Sequence, residues 1–319
     1  MIKNKTILIT GGAGFIGTHL VEELIQHQNY LVIIDTFGNY YYSGKKENLA
    51  SILKDYKNLK DYEIIRGDLK EEGIYNKIHK EIDLIFHLAA HAGVRFSIAN
   101  TELVTRNNIL SVVNVFEYAK EHNIEKVVFA SSSSVYGNPL YTPVDEEHPK
   151  NPISPYAVSK LCGEHYADYY FREYDLPITS LRFYTVYGPR GRPDMAIGKF
   201  FNYIMNDNEI TIYGDGEQLR DFTYVSDIVD GLILSGEKEE AIGQVFNLGF
   251  SSPITVNKLI EKMYSIANVP EKVKYGEKKK GDVEVTHSDT TKAKKMLNYH
   301  PKVDIDTGLR KTFEWYQKK

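Results

Sequence analysis

With 319 residues, 42% of them hydrophobic, the chain is long enough to bury a full core and is expected to divide into two domains. A formal net charge of -4 supplies no general attraction for nucleic acid or for an anionic membrane, so neither is expected as a partner, and an anionic ligand has to be held by local groups. Cys162 is the single cysteine, which excludes an intramolecular disulfide and any multi-cysteine metal site; the expectation is a cytoplasmic protein with no bound metal.

The first residues, MIKNKTILITGG, pass from polar positions into a short apolar run and then glycines, without the apolar core and cleavage site of a signal peptide. No later run approaches the roughly 18 apolar residues of a membrane span. Short β-rich runs then recur: TILIT (6–10), YLVIID (30–35), YEIIR (62–66), DLIFHLA (83–89), KVVFAS (126–131), ITSLRF (178–183) and VFNLG (245–249). Several are apolar on both faces, and segments of helical period such as FIGTHLVEELIQH and LVTRNNILSVVNVFEYAKEH separate them. Strands buried on both sides and alternating with covering helices predict an α/β fold with a Rossmann-type doubly wound parallel sheet.

After Phe183 the regularity gives way to a loop with Pro189 and Pro193, a helix from about Met195 to Met205, and a mixed segment that ends in an amphipathic helix. This predicts a Rossmann domain of residues 1–183 and 222–250 and a smaller α/β substrate-binding domain of residues 184–221 and 251–319. The strand and helix within 222–250 are expected to return to the main sheet. Ligands of such folds lie beyond the carboxyl ends of the strands, so the smaller domain is expected to form the other wall of the crevice.

At the first strand–helix junction, ILITGGAGFIGTHL sets Gly12, Gly14 and Gly17 in a G-x-G-x-x-G spacing, and Gly11, Gly14 and Gly17 in G-x-x-G-x-x-G. Glycine lets the backbone approach a pyrophosphate while the helix N-terminus supplies amide donors. Asp35, ending the next strand, suits a ribose 2′-hydroxyl and would repel a 2′-phosphate, so NAD is expected over NADP, with nearby Lys45 and Lys46 as the counter-indication. Asp68 of RGDL ends the third strand, where it meets the adenine edge or serves as a turn or helix-cap residue.

Further along, VVFASSSSVYG is a strand ending in hydroxyls, and SPYAVSK places Tyr156 and Lys160 one helical turn apart, with Ser154 as N-cap and Pro155 at the first helical position. A serine near the tyrosine can hold a sugar hydroxyl. Lysine can bond the nicotinamide ribose, and its charge together with that of oxidised nicotinamide lowers the tyrosine pKa from about 10 toward neutrality. The phenolate is then a general base for alcohol oxidation.

TGGAGFIG, HLAA, SSSSVYG, YAVSK, LRFYTVYGP and RDFTYVSDIVDG occur here in the order seen in the extended short-chain dehydrogenase/reductase family, which the chain resembles over essentially its whole length. The resemblance implies a catalytic set of Ser132, Tyr156 and Lys160, with Ser133 and Ser134 lining the sugar site. It implies an NAD site built from Gly11, Gly14, Phe15, Ile16, Gly17 and Asp35, continued by Asp68, Leu69, Leu88, Ala89 and Ala90. It also implies a homodimer formed through helices near 103–122 and 156–174.

Within that family the dehydratases carry an acidic pair after the catalytic threonine, and the nucleotide-sugar decarboxylases a glutamate immediately before VYG. Here those positions are serines, which points to simple oxidation and re-reduction of one alcohol, as in the 4-epimerases. GRPDM (191–195) looks like the signature of the UDP-glucuronate 4-epimerase branch, and HAGVRFS (91–97) and GNYYYSGKKENL (38–49) resemble it too. By that resemblance Arg192 would pair with the carboxylate of a UDP-hexuronate and Arg95 would assist, since a guanidinium suits bidentate capture and a neutral hexose would give it no partner. Thr185, where neutral-sugar epimerases usually have asparagine, is a further departure toward the uronate branch. The same resemblance places Lys199, Gln218 and Arg220 around the diphosphate and uridine, and Asp282 near the uridine ribose. A UDP-glucose or UDP-N-acetylglucosamine 4-epimerase, an N-acetylated hexuronate 4-epimerase, and a non-catalytic dinucleotide-binding protein remain as alternatives.

Overall fold

The computed structural model describes residues 1–39, 44–54, 56, 61–278 and 283–318. Six strands, β1 (Thr6–Thr10), β2 (Tyr30–Asp35), β3 (Tyr62–Arg66), β4 (Leu84–His87), β5 (Lys126–Ser132) and β6 (Ile178–Phe183), are interleaved with α1 (Phe15–Leu24), α2 (Lys45–Leu53), α3 (Val94–Ala99), α4 (Thr101–Glu121) and α5 (Pro155–Tyr174). There follow β7 (Thr185–Tyr187), α6 (Ala196–Met205), β8 (Ile210–Tyr213), β9 (Leu219–Arg220), β10 (Phe222–Tyr224), α7 (Val225–Glu237) and β11 (Val245–Leu248). The chain closes with β12 (Ile254–Thr255), α8 (Val256–Ala267), β13 (Val273–Gly276), α9 (Thr291–Leu297) and α10 (Ile305–Gln317).

The main sheet has the order β11-β6-β5-β4-β1-β2-β3, and every neighbouring pair is parallel. Parallel neighbours require crossovers, and the crossover helices cover both faces. This is why the strands read as unbroken apolar runs. In β1, Ile7 and Ile9 face a cluster with Leu20, Val21 and Leu24 of α1 and Ile228 and Leu232 of α7, whereas Leu8 faces one with Val112, Val115 and Phe116 of α4 and Tyr170 of α5. The expected return of 222–250 is seen in β11, which pairs with β6.

The remaining pieces build a second core. α6 is amphipathic, burying Ile197, Phe201 and Ile204 on one stripe, and these pack with Ile210 and Ile212 of β8, Leu259, Ile260 and Met263 of α8 and Leu309 of α10. One stretch of 251–319 packs elsewhere: Ala293 and Leu297 of α9, with Tyr299, lie in the main-sheet core. Two aspartates of RDFTYVSD anchor loops distant in sequence. Asp221 accepts from the backbone N–H groups of Ser251 and Ser288 at 3.2 and 2.9 Å, and Asp227 from those of Lys302 and Val303 at 3.0 and 3.1 Å.

Beside the sheet runs a buried polar chain. Arg182 of β6 donates Nε and Nη2 to the two oxygens of Glu164 on α5 at 2.9 and 2.7 Å, with the side chains 3% and 6% exposed. Its Nη1 reaches the Tyr136 hydroxyl at 2.7 Å, which donates to Asn247 of β11 at 2.8 Å. Removing one member of a buried, forked ion pair leaves the other charge uncompensated. Glu164→Leu is therefore expected to lower unfolding free energy by about 3–5 kcal/mol in urea titrations; a loss under about 1 kcal/mol would show that water reaches the pair.

Candidate active site

The turn between β1 and α1 is built for close approach. Gly11 has φ of +72°, and a Cβ there would lie 2.8 Å from the Ala89 backbone. A Cβ on Gly17 would meet the Gly11 carbonyl oxygen and lie 2.7 Å from the Gly12 Cα, so only glycine lets α1 start flush against the turn. At the end of β2, Asp35 accepts from Ala13 N at 3.1 Å and Phe37 N at 2.7 Å, which aims its carboxylate across the helix N-terminus. Lys45 is buried at this point; burial pulls its pKa down, Asp35 acts against that, and Arg192 adds to it. The Asp35–Lys45 juxtaposition offsets charge where a 2′-phosphate would need a surplus of cations. A helix N-terminus with no side-chain cap, a turn with no room for a side chain and a carboxylate at the end of the second strand fit a dinucleotide.

At the neighbouring strand ends, α5 is stapled to β5 once per turn. Ser154 caps the helix, accepting from Ala157 N at 3.2 Å, with Pro155 in the first turn. Tyr156 interacts with the Ser132 hydroxyl, Lys160 Nζ donates to the Ala130 carbonyl at 2.6 Å, and Ser131 Oγ donates to Glu164. Ser132 also accepts from Ser134 N at 3.2 Å, starting the short turn that carries Ser133 and Ser134. α4 braces the pair from behind: Asn108 accepts from His91 N at 2.7 Å and donates to Ser159 Oγ at 2.9 Å, and Ser159 bonds the Tyr156 carbonyl at 2.8 Å.

The expected lowering of the Tyr156 pKa invokes Lys160 together with oxidised nicotinamide. By the chain's own groups the Tyr156 phenol is pushed up: burial dominates, and the Ser132 hydrogen bond and the charge of Arg192 only oppose it. Lys160, with Nζ 6.0 Å from the centre of the Tyr156 ring, is itself pulled to about 8 by burial, Glu164 acting the other way. The chain's own groups thus favour the protonated phenol, and positive charge brought in by a bound ligand would act in the opposite direction.

The loop after Gly188 sends its two arginines in different directions. Arg190, at φ of +59°, turns back onto α1, donating to His19 Nδ1 at 2.8 Å and pairing with Glu22. Arg192 turns into the crevice and lies against Gly93, whose Cβ would sit 3.1 Å from Nη2. Its Nε and Nη2 are forked on Asp194 at 3.0 and 2.7 Å. With a neutral hexose in the cleft, which would give Arg192 no partner of its own, Asp194 would still supply one.

A single cleft of about 730 Å³ brings the expected residues together. One end is lined by Gly11, Gly14, Phe15, Ile16, Gly17 and Asp35, with Asp68, Leu69, Leu88, Ala89 and Ala90 beside them. Ser132, Ser133, Ser134, Tyr156 and Lys160 line the middle, and Thr185 and Arg192 face it from the smaller unit. Asp68 also takes the turn role, accepting from Lys70 N at 3.0 Å. Arg95, Lys199, Gln218 and Arg220 line the far end; Arg95 stacks over Tyr213 at 5.8 Å, and Gln218 donates to the Tyr213 carbonyl at 3.1 Å. Asp282, and residues 40–43 of GNYYYSGKKENL, lie outside the described residues. Sequence reasoning missed Asp194, Asn108 and Glu164; the i+2 spacing of Arg192 and Asp194 was the one local signal among them.

The sequence model of the NAD dependent epimerase/dehydratase family matches residues 7–249. A UDP-glucuronate 4-epimerase of Thermodesulfobacterium geofontis is 36% identical over 97% of this chain and 95% of its own length. Among solved structures, a UDP-N-acetylglucosamine 4-epimerase of Methanobrevibacter ruminantium, in complex with UDP-N-acetylmuramic acid, superposes with a TM-score of 0.91 at 36% identity over 99% of both chains. A UDP-glucuronic acid 4-epimerase of Bacillus cereus, in complex with UDP-glucuronic acid and NAD, gives 0.91 at 32% identity over 98% of this chain and 99% of that one.

In the cofactor-free chain the phenolate difference titration, wild type minus Tyr156→Phe, is expected to place the Tyr156 transition above pH 10, where burial keeps the charged form disfavoured. A transition near neutrality would instead assign the lowering to the chain's own residues.

Proposed function

The chain belongs to the NAD dependent epimerase/dehydratase family, and on that premise we propose that this NAD-dependent nucleotide-sugar 4-epimerase interconverts UDP-glucuronate and UDP-galacturonate. One observation carries the choice of sugar: Arg192 is close enough to Tyr156 for its charge to act on the phenol. In a hexuronate the carboxylate hangs on carbon 5, next to the carbon 4 that reacts. A guanidinium beside the base is thus where such a carboxylate has to be held. Ser133, Ser134 and Thr185 line the same stretch of cleft and supply neutral donors.

NAD, when bound, supplies the acceptor and donor of hydride at carbon 4. Tyr156 takes the proton of the 4-hydroxyl and gives it back after the 4-keto sugar has turned its other face, while Ser132 holds the reacting oxygen and Lys160 holds the ribose side of the site. The keto intermediate is a β-keto acid, able to lose carbon dioxide. Arg192 keeps its carboxylate out of the perpendicular alignment that cleavage needs, and a serine at 134 withholds the proton a carboxylic acid there would give the enolate. The lone cysteine supports a cytoplasmic setting.

A second reading, 4-epimerisation of a neutral or N-acetylated UDP-hexose, is favoured by the Asp194 fork on Arg192, which leaves the arginine compensated without any sugar carboxylate.

For assembly we propose a homodimer through α4 and α5. Leu103 and Leu110 are seven residues apart on α4, 45% and 44% exposed, and Val158 and Tyr169 lie on one stripe of α5, 50% and 43% exposed, apolar side chains that a partner subunit would cover.

Incubation with UDP-glucuronate and no added cofactor, followed by proton NMR, is expected to yield UDP-galacturonate without UDP-pentose or accumulating NADH. Turnover of UDP-glucose or UDP-N-acetylglucosamine in its place would overturn the uronate reading. Tyr156→Phe should lower kcat by about 10²- to 10⁴-fold, and Arg192→Ala should add UDP-pentose to the products. Val158→Asp should convert a dimer into a monomer in light scattering; a wild-type monomer would remove the dimer proposal.

A further inference from the structure

The contacts between α1 and the 188–194 loop carry more than a loop requires. His19, on the helix whose first turn carries the glycine motif, meets the Pro189 carbonyl with Nε2 at 2.8 Å. That oxygen can only accept, so Nε2 holds the proton and Nδ1 presents a lone pair, which accepts from Arg190 Nη2 at 2.8 Å. The same Nη2 pairs with Glu22, one turn further along. Burial, aided by the Arg190 charge, drives the His19 pKa to about 3, so this tautomer persists through the physiological range. The Arg190 side chain is 13% exposed and its backbone sits in the left-handed region at φ of +59°, a conformation unfavourable for arginine unless the surroundings enforce it. Gly191 N closes the turn onto the Gly188 carbonyl at 3.1 Å, and a Cβ on Gly191 would lie 2.7 Å from that oxygen, leaving the turn little room to relax. The next residue is Arg192.

We propose that the His19–Arg190–Glu22 clamp is a specificity device: Arg190 is the positioning residue that sets where the Arg192 guanidinium stands relative to Tyr156, and it ties that position to the dinucleotide-binding helix. The inference rests on the uronate reading of Arg192. Its physical basis is the shortness of the linkage, one glycine between an anchored residue and the one it places. Release of Arg190 lets the 190–192 turn leave its strained conformation, and a shift of about 1 Å at a group that orients the reacting part of a substrate is enough to cost up to about 100-fold in rate. A loop held only for stability would have no effect on the fate of the keto acid.

The test compares products as well as rates on the holoenzyme. Arg190→Ala is expected to lower kcat/KM for UDP-glucuronate about tenfold and to release UDP-pentose, with the inhibition constant of UDP, which lacks the sugar, unchanged. Glu22→Gln, at a half-exposed position, should shift both readouts in the same direction by less. Arg192→Ala is run in parallel so that the two ideas fail separately. If Arg192→Ala epimerises UDP-glucuronate with no pentose, the uronate reading falls. If Arg192→Ala makes pentose while Arg190→Ala only lowers the melting temperature, with products and kcat/KM as in wild type, Arg190 is merely structural and the clamp proposal falls. Pentose from Arg190→Ala without pentose from Arg192→Ala would overturn it as well, since the clamp would not then act through Arg192.

Discussion

Two opposite charges, Arg182 and Glu164, are buried in the interior with almost no solvent, and neither is tolerable there without the other. Satisfying them dictates the arrangement around them. Arg182 lies on β6, Glu164 on α5, and the remaining donors and acceptors are met by Ser131 of β5, Tyr136 just after it, and Asn247 of β11. The network therefore fixes the register of three adjacent strands against one helix. Ser132 is one residue from Ser131, and Lys160 is one turn from Glu164, so the geometry of the reacting groups is inherited from the pair. A well-packed apolar substitute could hold the helix equally firmly. It would not supply the carboxylate that acts against burial on the Lys160 pKa, which stands at about 8 with Glu164 in place.

Much of the main sheet was legible because parallel strands covered on both faces have to be apolar at consecutive positions; β1, β2, β3 and β6 begin and end where the runs TILIT, YLVIID, YEIIR and ITSLRF do. Ser154 and Pro155 announced α5 for an equally local reason, since cap chemistry is contained in a few residues. What stayed hidden depends on partners far along the chain. α9 looked like part of the smaller unit by position, yet Ala293, Leu297 and Tyr299 complete the main core. Asp221 and Asp227 read as members of a motif, and only the fold shows them anchoring loops at 251, 288 and 302–303.

The site divides in the same way. Glycines at a turn, an acid at a strand end and a Tyr/Lys pair on a capped helix are local patterns, and the residues they named line one cleft. The direction of the Tyr156 shift was not local. It depends on how deeply the phenol is buried, with the Ser132 hydrogen bond and the Arg192 charge opposing the rise, and burial is set by residues far along the chain. The arginines of GPRGRPDM show the same limit: composition makes them alike, whereas a left-handed backbone at Arg190 sends one to α1 and leaves the other to the crevice.

Arg192 is best understood as an exchange site. Two of its five donors already serve Asp194, so a substrate carboxylate does not meet a bare cation; it shares or replaces a carboxylate that is already there. The Coulomb gain of the new pair is then largely offset by the weakening of the old one, and its net effect on affinity is small compared with that of an uncompensated guanidinium. What the exchange does provide is direction, because a planar fork constrains the plane of whichever carboxylate it holds. In the proposed reaction the keto acid loses carbon dioxide only when the bond from carbon 5 to the carboxylate stands perpendicular to the plane of the ketone, so fixing where the carboxylate sits would govern the product more than it governs binding. On the proposed uronate reading, a cation pre-paired with Asp194 would therefore act on the fate of the intermediate as well as on which sugar is accepted.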